Sequence, residues 1–169
     1  LRKRFLDWQE AAVSDIVHRV HDGVKTAKPK AIVSVSGNPS IKPALSPEGR
    51  NEWLWVERDW VDVVYEMDYG IDLNIRGMEH TRRSSPHPER FSKVLGNYMI
   101  QQDVNAQAAL VGRQVDYTLK KFPSRGGVGL YLYVQLNEEQ IKTLRAGPFK
   151  EDAIPHWNCS PITALARSP

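Results

Sequence analysis

Two carboxylates stand at the end of one apolar run: Glu66 and Asp68 close the segment 61–68 (VDVVYEMD). In an extended chain, side chains two residues apart leave the same face, roughly 7 Å from each other along the strand. Burial beside one another and near Tyr65, Met67 and Tyr69 would raise one of the two pKa values. A carboxyl kept protonated can then donate a proton while its partner serves as base or nucleophile. If this face opens on a cleft, Glu66 and Asp68 are the expected catalytic pair. Asp62 begins the same run, and its expected role is structural.

Those side chains need strands and helices to hold them. Phe5, Trp8, Ala12, Ile16, Val20 and Val24 recur at helical spacing and predict an amphipathic helix that stops before Pro29. The β-branched run 31–36 (AIVSVS), closed by Gly37, Asn38 and Pro39, reads as a buried strand. A loop over 40–50 leads to a short helix, 51–60, that buries Trp53, Trp55 and Trp60. The strand 61–68 follows, then a weak helical pattern through Ile71, Ile75 and Met78, and a loop over 80–88 carrying His80 and His87. A third strand is expected at 92–99, with Lys93 at its start. A long helix spans about 105–121, a fourth strand 128–134, and a last helix follows Asn137, with Glu138 and Glu139 favouring its first turn. Helices and apolar strands therefore alternate, which predicts an α/β fold with a parallel sheet.

Composition narrows the function classes. The 169 residues carry a formal net charge of +3, spread along the chain, so no basic face points to nucleic acid. No apolar run is long enough to span a bilayer. Cys159 is the single cysteine, which excludes an internal disulfide and a cysteine-based zinc site. His18 and His21 sit on a helix without a visible third ligand, so no metal and no cofactor is expected. The first strand is not followed by a dinucleotide-binding glycine pattern, and the chain has neither a P-loop nor a Gly-x-Ser-x-Gly elbow. Leu1 rather than Met opens the chain, and we read it as a piece of a longer polypeptide without a signal peptide of its own.

Seven short segments in order carry a resemblance: 5–9 (FLDWQ), 28–29 (KP), 33–36 (VSVS), 60–64 (WVDVV), 67–69 (MDY), 129–133 (GLYLY) and 144–149 (LRAGPF). Over about residues 5 to 157 the chain resembles the C-terminal half of a glycosyl-hydrolase-like (β/α)8-barrel family. The resemblance implies that the four strands are the fifth to eighth of a TIM barrel and the opening helix its fourth. It implies a barrel portion over 1–158 and a tail over 159–169. It also implies a secreted or cell-envelope parent acting on a polysaccharide, with the family's acidic motif upstream of Leu1. The family usually has a neutral residue where this chain has Glu66.

Glycoside hydrolysis uses two carboxyl groups, about 5 Å apart for retention and roughly 6.5–9.5 Å for inversion. In a barrel such groups sit at the carboxyl ends of strands. The same ends offer sugar-binding candidates: Ser36 and Asn38, Tyr69, Asn97 and Tyr98, then Tyr131, Tyr133 and Gln135. Polar groups bind sugar hydroxyls, and aromatic rings stack on apolar sugar faces. Core packing is the competing reading for Tyr131 and Tyr133, and Trp157 could close either end of the barrel. The expected function is a glycoside hydrolase; the alternative is a non-catalytic carbohydrate-binding or assembly module. An aldolase would need a lysine at a strand end, and a deacetylase a His/Asp metal cluster. A half barrel has two raw sheet edges, so self-association or pairing with a missing N-terminal half is expected.

Overall fold

A computed structural model describes residues 1–38 and 48–151. Cys159, Trp157 and the expected tail over 159–169 lie outside the described residues. The helices are α1 (Arg2–Ala27), α2 (Glu52–Glu57), α3 (Ile75–Ser84), α4 (Val104–Lys121) and α5 (Glu138–Ala146). They alternate with β1 (Ser34–Gly37), β2 (Val63–Asp68), β3 (Phe91–Gly96) and β4 (Val128–Tyr131). The four strands form one all-parallel sheet in the order β1-β2-β3-β4.

Strand order and helix placement follow from alternation along each strand. Val64 and Phe91 pack with Trp55 and Val56 of α2 and with Val13 and Val17 of α1. Leu95 packs with Val111 and Val115 of α4 and Leu144 of α5. Glu66, on the face of Val64, receives a hydrogen bond from Thr81 of α3. Among the described residues all five helices therefore cover one face, and the sheet is singly wound; a doubly wound sheet would have helices on both faces. The other face carries Ser34 and Ser36, Tyr65 and Met67, Val94, and Gly129 and Tyr131, by register and alternation. Its lower part is closed by the loop before β4, where the Gly126 N–H donates to Ser92 Oγ. A Cβ on Gly126 would meet Ser92 Oγ at 2.3 Å, so the loop approaches this closely only with glycine there.

The termini of the elements are held as their residues suggest. Asn51, Asn74, Asp103 and Asn137 each accept a backbone N–H of the following helix. Trp55 is buried, and its indole N–H donates to Ser14 Oγ of α1 at 2.8 Å. Asp62 takes the structural role expected of it. Its Oδ2 accepts from Lys25 Nζ at 2.7 Å and from the Val33 N–H at 2.8 Å, tying α1, β1 and β2 together. Burial pushes this carboxyl up, but the Lys25 and Val33 hydrogen bonds and the charges of Lys25 and Arg90 hold it below the usual aspartate value.

Three local expectations are corrected. The segment 80–84 is helix rather than loop: α3 runs to Ser84 because Thr81 packs onto the sheet, and the chain turns extended at Ser85 before Pro86. Lys93 is the third residue of β3, and the strand ends at Gly96. Asn97 then turns its side chain to α5, so 97–99 leave the sheet. Finally, α1 packs through Val13, Ser14 and Val17, while Phe5, Trp8, Ile16 and Val20 are each more than half exposed. Their regular spacing marks a helix face, but the described residues do not cover it.

Candidate functional site

The carboxyl end of the sheet gathers aromatic side chains from three strands. Tyr69 follows the last residue of β2, Tyr98 lies two residues beyond β3, and Tyr131 ends β4. The rings of Tyr69 and Tyr131 stack with centroids 5.0 Å apart at 19°. Tyr98 completes the cluster at 6.4 Å from Tyr69 and 6.2 Å from Tyr131, edge-on to the latter. Gly96 lets the strands approach: a Cβ there would stand 3.2 Å from Tyr69 Cα. Burial, then the neighbouring Tyr131 and Tyr98, push the Tyr69 phenol above its ordinary pKa. Its hydroxyl is therefore a proton donor throughout the neutral range. Tyr131 remains 44% exposed, so the cluster offers ring surface to solvent.

Asn97 positions this cluster. Its Oδ1 accepts the Leu132 N–H, and its Nδ2 donates to Gln140 Oε1 at 3.0 Å. Gln140 Nε2 returns a bond to the Asn97 carbonyl, and the Asn97 N–H donates to the Tyr131 carbonyl at 2.9 Å. Both residues are 1% exposed. The amide thus clamps the end of β3 to β4 and α5, with its side chain engaged inside the protein. Ser36 is exposed on the open face of β1, and Asn38 is exposed just past it. Tyr133 (85% exposed) and Gln135 lie on a short 3-10 turn, Tyr133–Gln135. The structure thus gathers Tyr69, Tyr98 and Tyr131, with Asn97 behind them, and leaves Tyr133, Gln135, Ser36 and Asn38 around the rim.

Glu66 and Asp68 do share a face, but it is the one beneath the helices. Glu66 pairs in register with Lys93, whose Nζ is 2.7 Å from Glu66 Oε2 and 3.5 Å from Asp68 Oδ2. All three are nearly fully buried. Thr81 Oγ1 donates to Glu66 Oε1 at 3.3 Å, and the Asn74 N–H donates to Asp68 Oδ2 at 2.9 Å. The condition for their joint action in an open cleft, that their face should line the barrel mouth, is therefore not met by this side of the sheet. The tyrosines and the carboxylates belong to different surfaces of the same strands.

Lys93 and Thr81 were the partners that sequence reasoning passed over. The signal was present: Phe91, Lys93 and Leu95 alternate on one face, so a lysine between two core residues must be buried with a counter-charge. A cavity of about 410 Å³ adjoins this triad, with Met78, Phe91, Phe122 and Pro123 among its walls. Among the described residues no group of three or more His, Cys, Asp or Glu side chains is placed to hold a metal ion. No helix among them is long and apolar enough to cross a membrane. No family model matches the chain, and no curated protein or solved structure is significantly similar to it.

Proposed function

We propose that this chain is the C-terminal half of a (β/α)8 barrel of the glycoside-hydrolase type, and that its strand ends bind a polysaccharide. The tyrosine cluster carries the reading. Three phenol rings converge at the carboxyl ends of β2, β3 and β4, where parallel α/β sheets bind ligands. Rings with exposed faces and hydroxyl donors suit a sugar, whose C–H faces stack and whose hydroxyls accept hydrogen bonds. The barrel itself is supported by the singly wound sheet and, among the described residues, by its uncovered face and by the bare apolar stripe of α1 beside the outer strand β1. A preceding strand added to β1 would lie under that stripe. A polysaccharide substrate would place the parent protein outside the cell or in its envelope.

The second reading, a binding or assembly module without hydrolysis, is favoured by the burial of Glu66 and Asp68 against Lys93. Under the first reading the acid pair needs at least one group from the other half of the barrel. Titrating a panel of soluble oligosaccharides while following the NMR signals of Tyr69, Tyr98 and Tyr131 tests the site itself. Saturable binding that Tyr131→Ala weakens, with unchanged melting, is the expected result; no binding by any glycan would reject it. Hydrolysis assays on the completed barrel then separate the two readings. Turnover unaffected by Glu66→Gln and Asp68→Asn removes both carboxylates from the chemistry.

A further inference from the structure

The cavity beside the buried triad lies on the helix-covered face, across the sheet from the tyrosines. Its walls are chiefly apolar: Met78 from α3, Phe91 from β3, and Phe122 and Pro123 after α4. Arg82 and Pro123, both exposed, mark its mouth. Glu66, Thr81 and Lys93 close its inner end. A volume of about 410 Å³ falls within the range of sites for small organic ligands, roughly 300–1,000 Å³.

The inner end has a chemical preference. Lys93 is 3% exposed, and its ammonium pairs with Glu66 at 2.7 Å and lies 3.5 Å from Asp68. An ammonium carries three N–H donors, so these two carboxylates leave at least one for a further acceptor. An anion reaching the inner end would face two carboxylates against a single lysine. A neutral oxygen acceptor avoids that repulsion and still satisfies the amine. From this we infer that the cavity is a second binding site, for a compact, neutral, largely apolar molecule carrying a carbonyl oxygen that Lys93 receives. The site is independent of the sugar reading, and either can fail alone.

A neutral naphthyl ketone whose emission depends on polarity, 6-propionyl-2-(dimethylamino)naphthalene, is a suitable probe. Titrated into the protein, it should give saturable, blue-shifted emission. Amide shifts in an NMR titration should concentrate at Thr81, Phe91 and Lys93. The analogue with a methylene in place of the carbonyl, 6-propyl-2-(dimethylamino)naphthalene, should bind about fivefold more weakly, the worth of one hydrogen bond. Met78→Trp, which fills the cavity, should abolish the blue shift; the shift map on the unsubstituted protein gives the answer should that variant not fold. Shifts confined to other regions, an analogue that binds as tightly without its ketone, or tighter binding of the anionic anilinonaphthalene sulfonate would each overturn the inference.

Discussion

The two faces of this sheet are made by the same twenty strand residues, yet they differ in almost every respect. Beneath the helices, Val64, Phe91 and Leu95 are nearly sealed from solvent, and the charged residues among them are paired. On the other face, Ser34 and Ser36 are exposed and Tyr65, Met67 and Val94 are half-buried. Adjacent residues in a strand point in opposite directions, so a single-residue step separates core from open surface. Glu66 and Met67 illustrate the point, because the ionisable side chain is the buried one. Chemistry assigned by residue type alone can therefore land on the wrong side of a strand.

The largest expected difference between the faces concerns charge. Lys93→Met leaves Glu66 and Asp68 buried without their cation, and should lower unfolding stability by about 3–5 kcal/mol in urea titrations. Adding Glu66→Leu to that variant should recover much of the loss; if it does not, the triad holds the sheet by more than charge balance. Leu95→Ala, a cavity-forming change on the same face, should cost about 3 kcal/mol by the same measurement.

The open face should respond differently. Tyr131→Ala should weaken oligosaccharide binding about fivefold, the worth of one aromatic contact, with little change in melting temperature. Asp62 offers a smaller effect at the opposite end of the strands. Its pKa is held below the value of 3.8 that it has unperturbed, so its contribution is present above that value and fades as pH falls through the folded pKa. Asp62→Asn should thus reduce stability at pH 7 and converge with the parent chain in strong acid. The smallest change is Met67→Ser, about 1 kcal/mol for a half-buried methionine on a face open to solvent. A loss above about 2 kcal/mol there would show that the open face is covered in solution, by a second copy or by the other half of a barrel; light scattering distinguishes the two.

Much of the architecture was legible in the sequence. Alternating periodicities located five helices and four strands, Asn137 announced its cap, and the tryptophans of the segment 51–60 read as packing: Trp53 and Trp55 are buried and Trp60 packs against the core. The segment 80–84 was misread because its own pattern is polar, and only contact with the sheet makes Thr81 an inward position. The stripe on α1 was legible as a pattern, but no local signal tells which neighbour a helix face meets.

For the candidate site the division is sharper. Residue types and strand-end positions put Tyr69, Tyr98 and Tyr131 among eight binding candidates, with core packing left open for Tyr131. Their stacking within about 6 Å depended on strand order, register and the clearance at Gly96. Glu66 and Asp68 show the converse. Their spacing of two guaranteed a common face, which periodicity alone establishes. Which face it would be was decided by where the helices packed, since burial against Val64 and Phe91 outweighs the preference of any single charge for water. That choice gave the two carboxylates Lys93 as a partner and left the tyrosines at the opposite surface.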